Sequence, residues 1–101
     1  MKHNQYKIEA TVWLYPGDAA WHFVTIPKDI SDDIKNLFGD RTRGWGSLPV
    51  EITLGTTTWK TSIFPDKKEG AFLLPLKAEV RKKENIHVGN SLNFLLEIKT
   101  Y

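Results

Sequence analysis

The stretch that most constrains this chain is Phe72-Leu-Leu-Pro75-Leu-Lys77-Ala-Glu-Val80-Arg81-Lys82-Lys83-Glu84-Asn-Ile86-His87-Val-Gly89-Asn90, followed by the apolar run Leu92 to Ile98. Pro75 has no backbone N–H to give a ladder, so a strand leading into it stops there. Residues 77–84 then suit a short helix, Gly89-Asn90 a tight turn, and Ser91 to Lys99 a closing strand. The first half of the chain carries a fainter version of the same unit.

In that first half, Tyr6, Ile8, Ala10, Val12 and Leu14 alternate with Lys7, Glu9, Thr11 and Trp13, a period-two strand with a polar outer face. It ends at Pro16-Gly17-Asp18, and Ala19 to Ile26 returns as the second arm of a hairpin. Pro27 stops that arm. Ile30, Ile34, Leu37 and Phe38 then mark one face of a helix over 29–38, with Asp29 or Ser31 as its cap and Gly39 as a left-handed close. Gly39 to Pro49 has no periodicity and reads as a surface loop. Val50 to Leu54 and Thr56 to Phe64 form the next hairpin about Gly55, and Pro65 to Gly70 turns the chain into a fifth strand, Ala71 to Leu76.

The two halves, about 6–55 and 56–100, can both be written as hairpin, proline, short helix, glycine, strand. Tyr15-Pro16 recurs as Phe64-Pro65, and Ile26-Pro27-Lys28 as Leu74-Pro75-Leu76. The expectation is a mainly β, single-domain fold over 1–101. It is a small pseudo-two-fold barrel built from a duplicated ββαβ unit, of the double-split type, with two short helices.

Two families resemble these residues. The run Ala78 to Asn90 is similar to the strand, helix and Gly-Asp turn of the AbrB and MazE swapped-hairpin proteins, whose barrel a duplicated chain could build alone. Trp21 with Val24 and Pro27, Leu48-Pro-Val50, Trp59-Lys-Thr-Ser-Ile63, Leu74-Pro-Leu-Lys77, Val80-Arg-Lys82 and Gly89 resemble, over nearly the whole chain, an uncharacterised bacterial domain-of-unknown-function family. In longer proteins that family precedes a YdeI/OmpD-associated segment. The resemblance brings no established activity with it. Asn90 stands where both families usually carry Asp, so a role for that carboxylate is not expected here. The chain ends at Tyr101, so the YdeI-type segment is not expected either.

Chemistry is sparsely signalled. Without cysteine there is neither a disulfide framework nor a thiolate metal site. His3, His22 and His87 show no metal-ligand spacing, the serines lack a nucleophile elbow, and Gly44-Trp45-Gly46 is not a dinucleotide fingerprint. No cofactor is expected. A net charge of +2 implies no polyanionic partner, and no apolar run reaches the ~18–20 residues of a membrane span. A polar amino terminus makes the cytoplasm the default location.

Three readings follow, ranked. The first is a non-enzymatic binding or regulatory barrel for a protein or small-molecule partner, monomeric or else homodimeric. Its contacts would come from the motif-dense, polar segments: Trp59, Lys60, Thr61, Ser62, Lys77 and Arg81. Lys77 and Arg81, spaced i to i+4, put two cations on one helical face. The second is nucleic-acid binding through Arg41, Arg43, Trp45, Lys77, Arg81 and Lys82, because a glycine-flanked indole beside arginines suits base stacking. It requires those cations to converge on one face. The third is a ligand carrier or enzyme whose barrel holds a pocket near His22.

Overall fold

The computed structural model describes residues 4–17 and 20–100. Among them six strands close a barrel: β1 (Gln5–Leu14), β2 (His22–Thr25), β3 (Leu48–Leu54), β4 (Thr57–Asp66), β5 (Ala71–Pro75) and β6 (Ser91–Ile98). Helix α1 (Lys28–Phe38) joins β2 to β3, and α2 (Ala78–Lys83) joins β5 to β6. The order around the barrel is β1-β2-β5-β4-β3-β6, antiparallel at every pair.

Two long strands make the closure. β1 pairs with β6 from Gln5↔Glu97 to Thr11↔Ser91, then changes partner and pairs with β2 from Val12↔Val24 to Leu14↔His22. β4 pairs with β3 from Leu54↔Thr57 to Leu48↔Ile63, then with β5 from Phe64↔Leu73 to Asp66↔Ala71. Each long strand therefore belongs to two ladders in turn, and no strand is left without neighbours on both sides.

The interior follows from period-two alternation. Leu48, Val50, Ile52 and Leu54 of β3 point inward and meet Ile8, Val12, Val24, Ile63, Leu74 and Leu96. Two plugs complete the core. Ile34 and Phe38 of α1 close the end that holds Ile26, Ile63 and Phe72, while Val80 of α2 and Ile86 close the other. Pro27 and Pro75 stand where the chain leaves the sheet for each helix.

Several expectations are corrected. Leu14 is exposed, because β1 runs past the barrel rim after Val12 and holds only β2 there. Leu37 is also exposed, leaving Ile34 and Phe38, with Ile30 partly buried, as the packed face of α1. Gly39 ends α1 in right-handed geometry (φ −59°) and leads into a 3-10 turn, Gly39–Arg41. A second such turn spans Gly44–Gly46. The expected loop stops short of Pro49, since Leu48 is a fully buried strand residue. Pro65 and Asp66 likewise extend β4 rather than turning. Asp18 and Ala19, expected in the first turn and second strand, lie outside the described residues, as does His3.

The cap of α1 is a different correction. Pro27 occupies the cap position with no side-chain hydrogen bond, and neither Asp29 nor Ser31 caps. Ser31 is instead the one buried polar side chain among the described residues. Its hydroxyl donates to the Ile26 carbonyl (2.9 Å) and accepts the Phe72 N–H (3.0 Å). It ties the end of β2, α1 and β5 together at one atom. Asn90 shows a comparable economy. Its Oδ1 accepts the His87 N–H at 2.8 Å, a bond that needs an acceptor and no charge.

Two outcomes test this packing. Ser31→Ala leaves the Phe72 N–H buried without a partner and should cost about 1–3 kcal/mol in chemical denaturation. Tyr6 on β1 donates to Asp33 on α1 at 2.8 Å. Partial burial, then that bond, then the carboxylate's charge hold the phenol's proton well above the ordinary value of about 10. The fold favours the protonated form, so this stabilisation is complete below about pH 10 and lost as pH rises beyond it. Unfolding curves at stepped alkaline pH should show that decline, and Tyr6→Phe should remove it.

Candidate functional site

β4 and β5 separate where their ladder ends. Between β4, the start of β2 and the corner from β5 into α2 lies a cleft of about 270 Å³. Ala20, Trp21 and His22 form one wall, Trp59 and Thr61 another, and Pro75, Leu76, Lys77 and Arg81 the third.

Each side chain arrives there for a local reason. Trp59 and Thr61 lie on the inward side of β4, and Trp59 is 8% exposed. Lys77 is the residue before the first turn of α2, and the Arg81 N–H donates to its carbonyl, stacking the two cations one turn apart. Arg81 Nε donates to the Leu76 carbonyl at 3.0 Å, which fixes the guanidinium plane. Its two terminal amino groups make no hydrogen bond among the described residues. Neither Lys77 nor Arg81 belongs to an ion pair there. His22 Nδ1 lies 2.8 Å from the Ala20 carbonyl. Because a carbonyl only accepts, Nδ1 carries the proton, and Nε2 is the free ring atom. Among the described residues no acidic side chain lines the cleft.

One side of the mouth is aromatic. Trp21 is half exposed and stacks on Phe23 (centroids 5.9 Å, 26°), and Trp13 and Tyr15 pack on Phe23 at 5.4 and 6.1 Å. Trp13 Nε1 donates to Thr25 Oγ1 across the hairpin at 3.0 Å. The outer face of β1, expected to be polar, is aromatic at this end and continues into that of β2. The sequence did carry the signal: Trp13 and Tyr15 on one arm, Trp21 and Phe23 on the other, all in phase.

Trp59, Thr61, Lys77 and Arg81, from the binding set, meet His22, from the pocket reading. Lys60 and Ser62 alternate to the outer side of β4 and do not line the cleft. The nucleic-acid set divides. Arg41, Arg43 and Trp45 sit on the loop after α1, and Lys77, Arg81 and Lys82 sit at the opposite end, on α2. Trp45 is 92% exposed with a left-handed backbone (φ 65°). A second concavity, about 360 Å³, lies beside that loop between α1 and the β4–β5 turn, lined by Phe72, Ala71, Pro65, Lys35 and Lys67 among others. Among the described residues no cluster of three or more metal-ligating side chains occurs, and no helix is long and apolar enough to cross a membrane.

The family model described as "Domain of unknown function (DUF1905)" matches residues 9–96 of the 101. The chain belongs to this family. All three walls of the DUF1905 cleft, from Ala20 to Arg81, fall inside the match. A search of curated proteins found no match.

Indole exposure gives a direct check of the site's geometry. Under acrylamide quenching, Trp45→Phe should remove the most accessible emission and Trp59→Phe the most protected. Equal quenching of the two would place Trp59 wrongly.

Proposed function

We propose that this DUF1905 barrel is a binding module, and that its cleft takes a ligand joining an anionic group to an apolar ring or side chain. One observation carries the reading. Lys77, Arg81 and the free edge of His22 share a single concave site with Trp59 and Trp21, and no carboxylate among the described residues lines it. A guanidinium held at Nε with its terminal groups free suits a carboxylate or phosphate, which can accept two parallel bonds. The indoles supply stacking and apolar area.

Nucleic-acid binding gains no support from the arrangement, since its cations stand at two ends of the barrel rather than along one track. The duplicated, AbrB-like architecture is part of the same proposal. Exchanging β1, β2 and β3 for β4, β5 and β6 leaves every neighbour relation of the barrel unchanged, and both first strands of the halves change partner midway.

Charge-assisted hydrogen bonds contribute roughly 1.5–3 kcal/mol when partly desolvated, so Arg81→Ala should weaken an anionic ligand about tenfold or more. The test is an amide-shift titration with indole-3-acetate, indole-3-acetamide and short duplex DNA. Shifts at His22, Thr61, Leu76 and Arg81 that need the carboxylate and fade in Arg81→Ala are expected. A millimolar titration that moves none of them, or moves them equally with the amide, would refute the reading. DNA shifts at Arg41 and Arg43 together with Arg81 would replace it with the nucleic-acid one.

A further inference from the structure

The register of β3 and β4 decides which backbone groups face the cleft. The Lys99 N–H donates to the Pro49 carbonyl at 2.9 Å, so Pro49, Glu51 and Thr53 bond toward β6. Antiparallel strands alternate, hence Val50, Ile52 and Leu54 bond toward β4, and their partners Thr61, Trp59 and Thr57 bond back to β3. Thr58, Lys60 and Ser62 therefore aim their N–H and C=O groups the other way, toward β5. The β5 ladder begins only at Phe64↔Leu73, and Pro75 brings no N–H to extend it. Lys60 and Thr58 have no backbone hydrogen bond to the Leu76–Lys77 corner. Beside the cleft, along the stretch of β4 that carries its lining residues Trp59 and Thr61, the strand thus offers a short open edge, the feature to which an extended segment adds as a strand.

We infer that this edge, in the cleft already proposed to bind an anion, receives the carboxyl-terminal end of an extended peptide. Three observations select that occupant. The far end of the split is closed, because Glu84 beyond α2 accepts from Thr57 (2.5 Å) and Thr56 (3.4 Å), so an added strand must stop there. At about 270 Å³ the space holds one or two residues rather than a continuous segment. Lys77 and Arg81 have no ion pair among the described residues and stand beside the edge, which suits a terminal carboxylate and repels a terminal ammonium. The last side chain rests on Trp59, and the preceding residues leave across Trp21 and Pro75.

The equivalent edge on β1 is already occupied by charge. There Tyr6 on the strand donates to Asp33 on α1, which ties the helix down and places a carboxylate where the other site has cations.

The test uses the full chain and a fluorescent tetrapeptide, Ala-Ser-Val-Phe, labelled at its amino end, as the free acid and as the amide. Indole-3-acetate serves as the small anion. The free acid should bind at least tenfold more tightly than the amide, and it should slow hydrogen exchange of the Lys60 amide. Lys60→Pro removes only an N–H that faces the split, so it should abolish peptide binding while indole-3-acetate still binds. Equal affinity of acid and amide, or an unprotected Lys60 amide, would overturn the inference. Binding of indole-3-acetate without either peptide would overturn the peptide inference and leave the anion reading standing. Silence from all three probes would remove both.

Discussion

Two backbone nitrogens without hydrogens organise this fold. Pro27 and Pro75 end the β2 and β5 ladders at opposite ends of the barrel, and from each the chain leaves the sheet and lays a helix across the opening. A strand that stops early leaves its neighbour too long. The long neighbours, β1 and β4, then find a second partner, and closure of the barrel follows from that exchange.

The two ends differ in how the gap beside each long strand is treated. At the α1 end a phenol on β1 and a carboxylate on α1 bond strand to helix. At the α2 end Lys77 and Arg81 stand beside the gap with no ion pair among the described residues, and a concave space remains. Similar backbones thus give one sealed corner and one open corner, and the difference rests on a few side chains. These charges weigh little in stability, because exposed single charges contribute little to folding.

Much of this was legible in the sequence, and the reasons are physical. Strict alternation in Val50 to Leu54 and the proline stops leave little freedom, so strands, helices and antiparallel hairpins could be read off. Trp59, Thr61, Lys77 and Arg81 stood out because each adds a polar or aromatic group that a small core does not need. What the sequence hid depends on three-dimensional ends and edges. Leu14 and Leu37 look like core residues until the barrel rim is located. Ser31 resembles a cap until Phe72, 41 residues away, supplies the N–H it accepts. Trp13 looked polar-facing because Lys7 and Glu9 share its face, and the in-phase aromatics of the second arm gain their meaning once the pairing sets Phe23 opposite it.

The seam between β1 and β6 has a consequence for how the molecule comes into being. Gln5 pairs with Glu97 and Thr11 with Ser91, so the first strand has no companion along this side until the last one exists. Loop closure over such separations is entropically costly, and sheet topologies of this kind fold slowly. A nascent chain would therefore leave the ribosome with the inner flank of β1 uncovered throughout its synthesis. Its alternating lysine and glutamate, Lys7 and Glu9, sit on that strand, where charge discourages pairing with other chains. The same residues that look idle on the finished surface guard the chain while it is still being made.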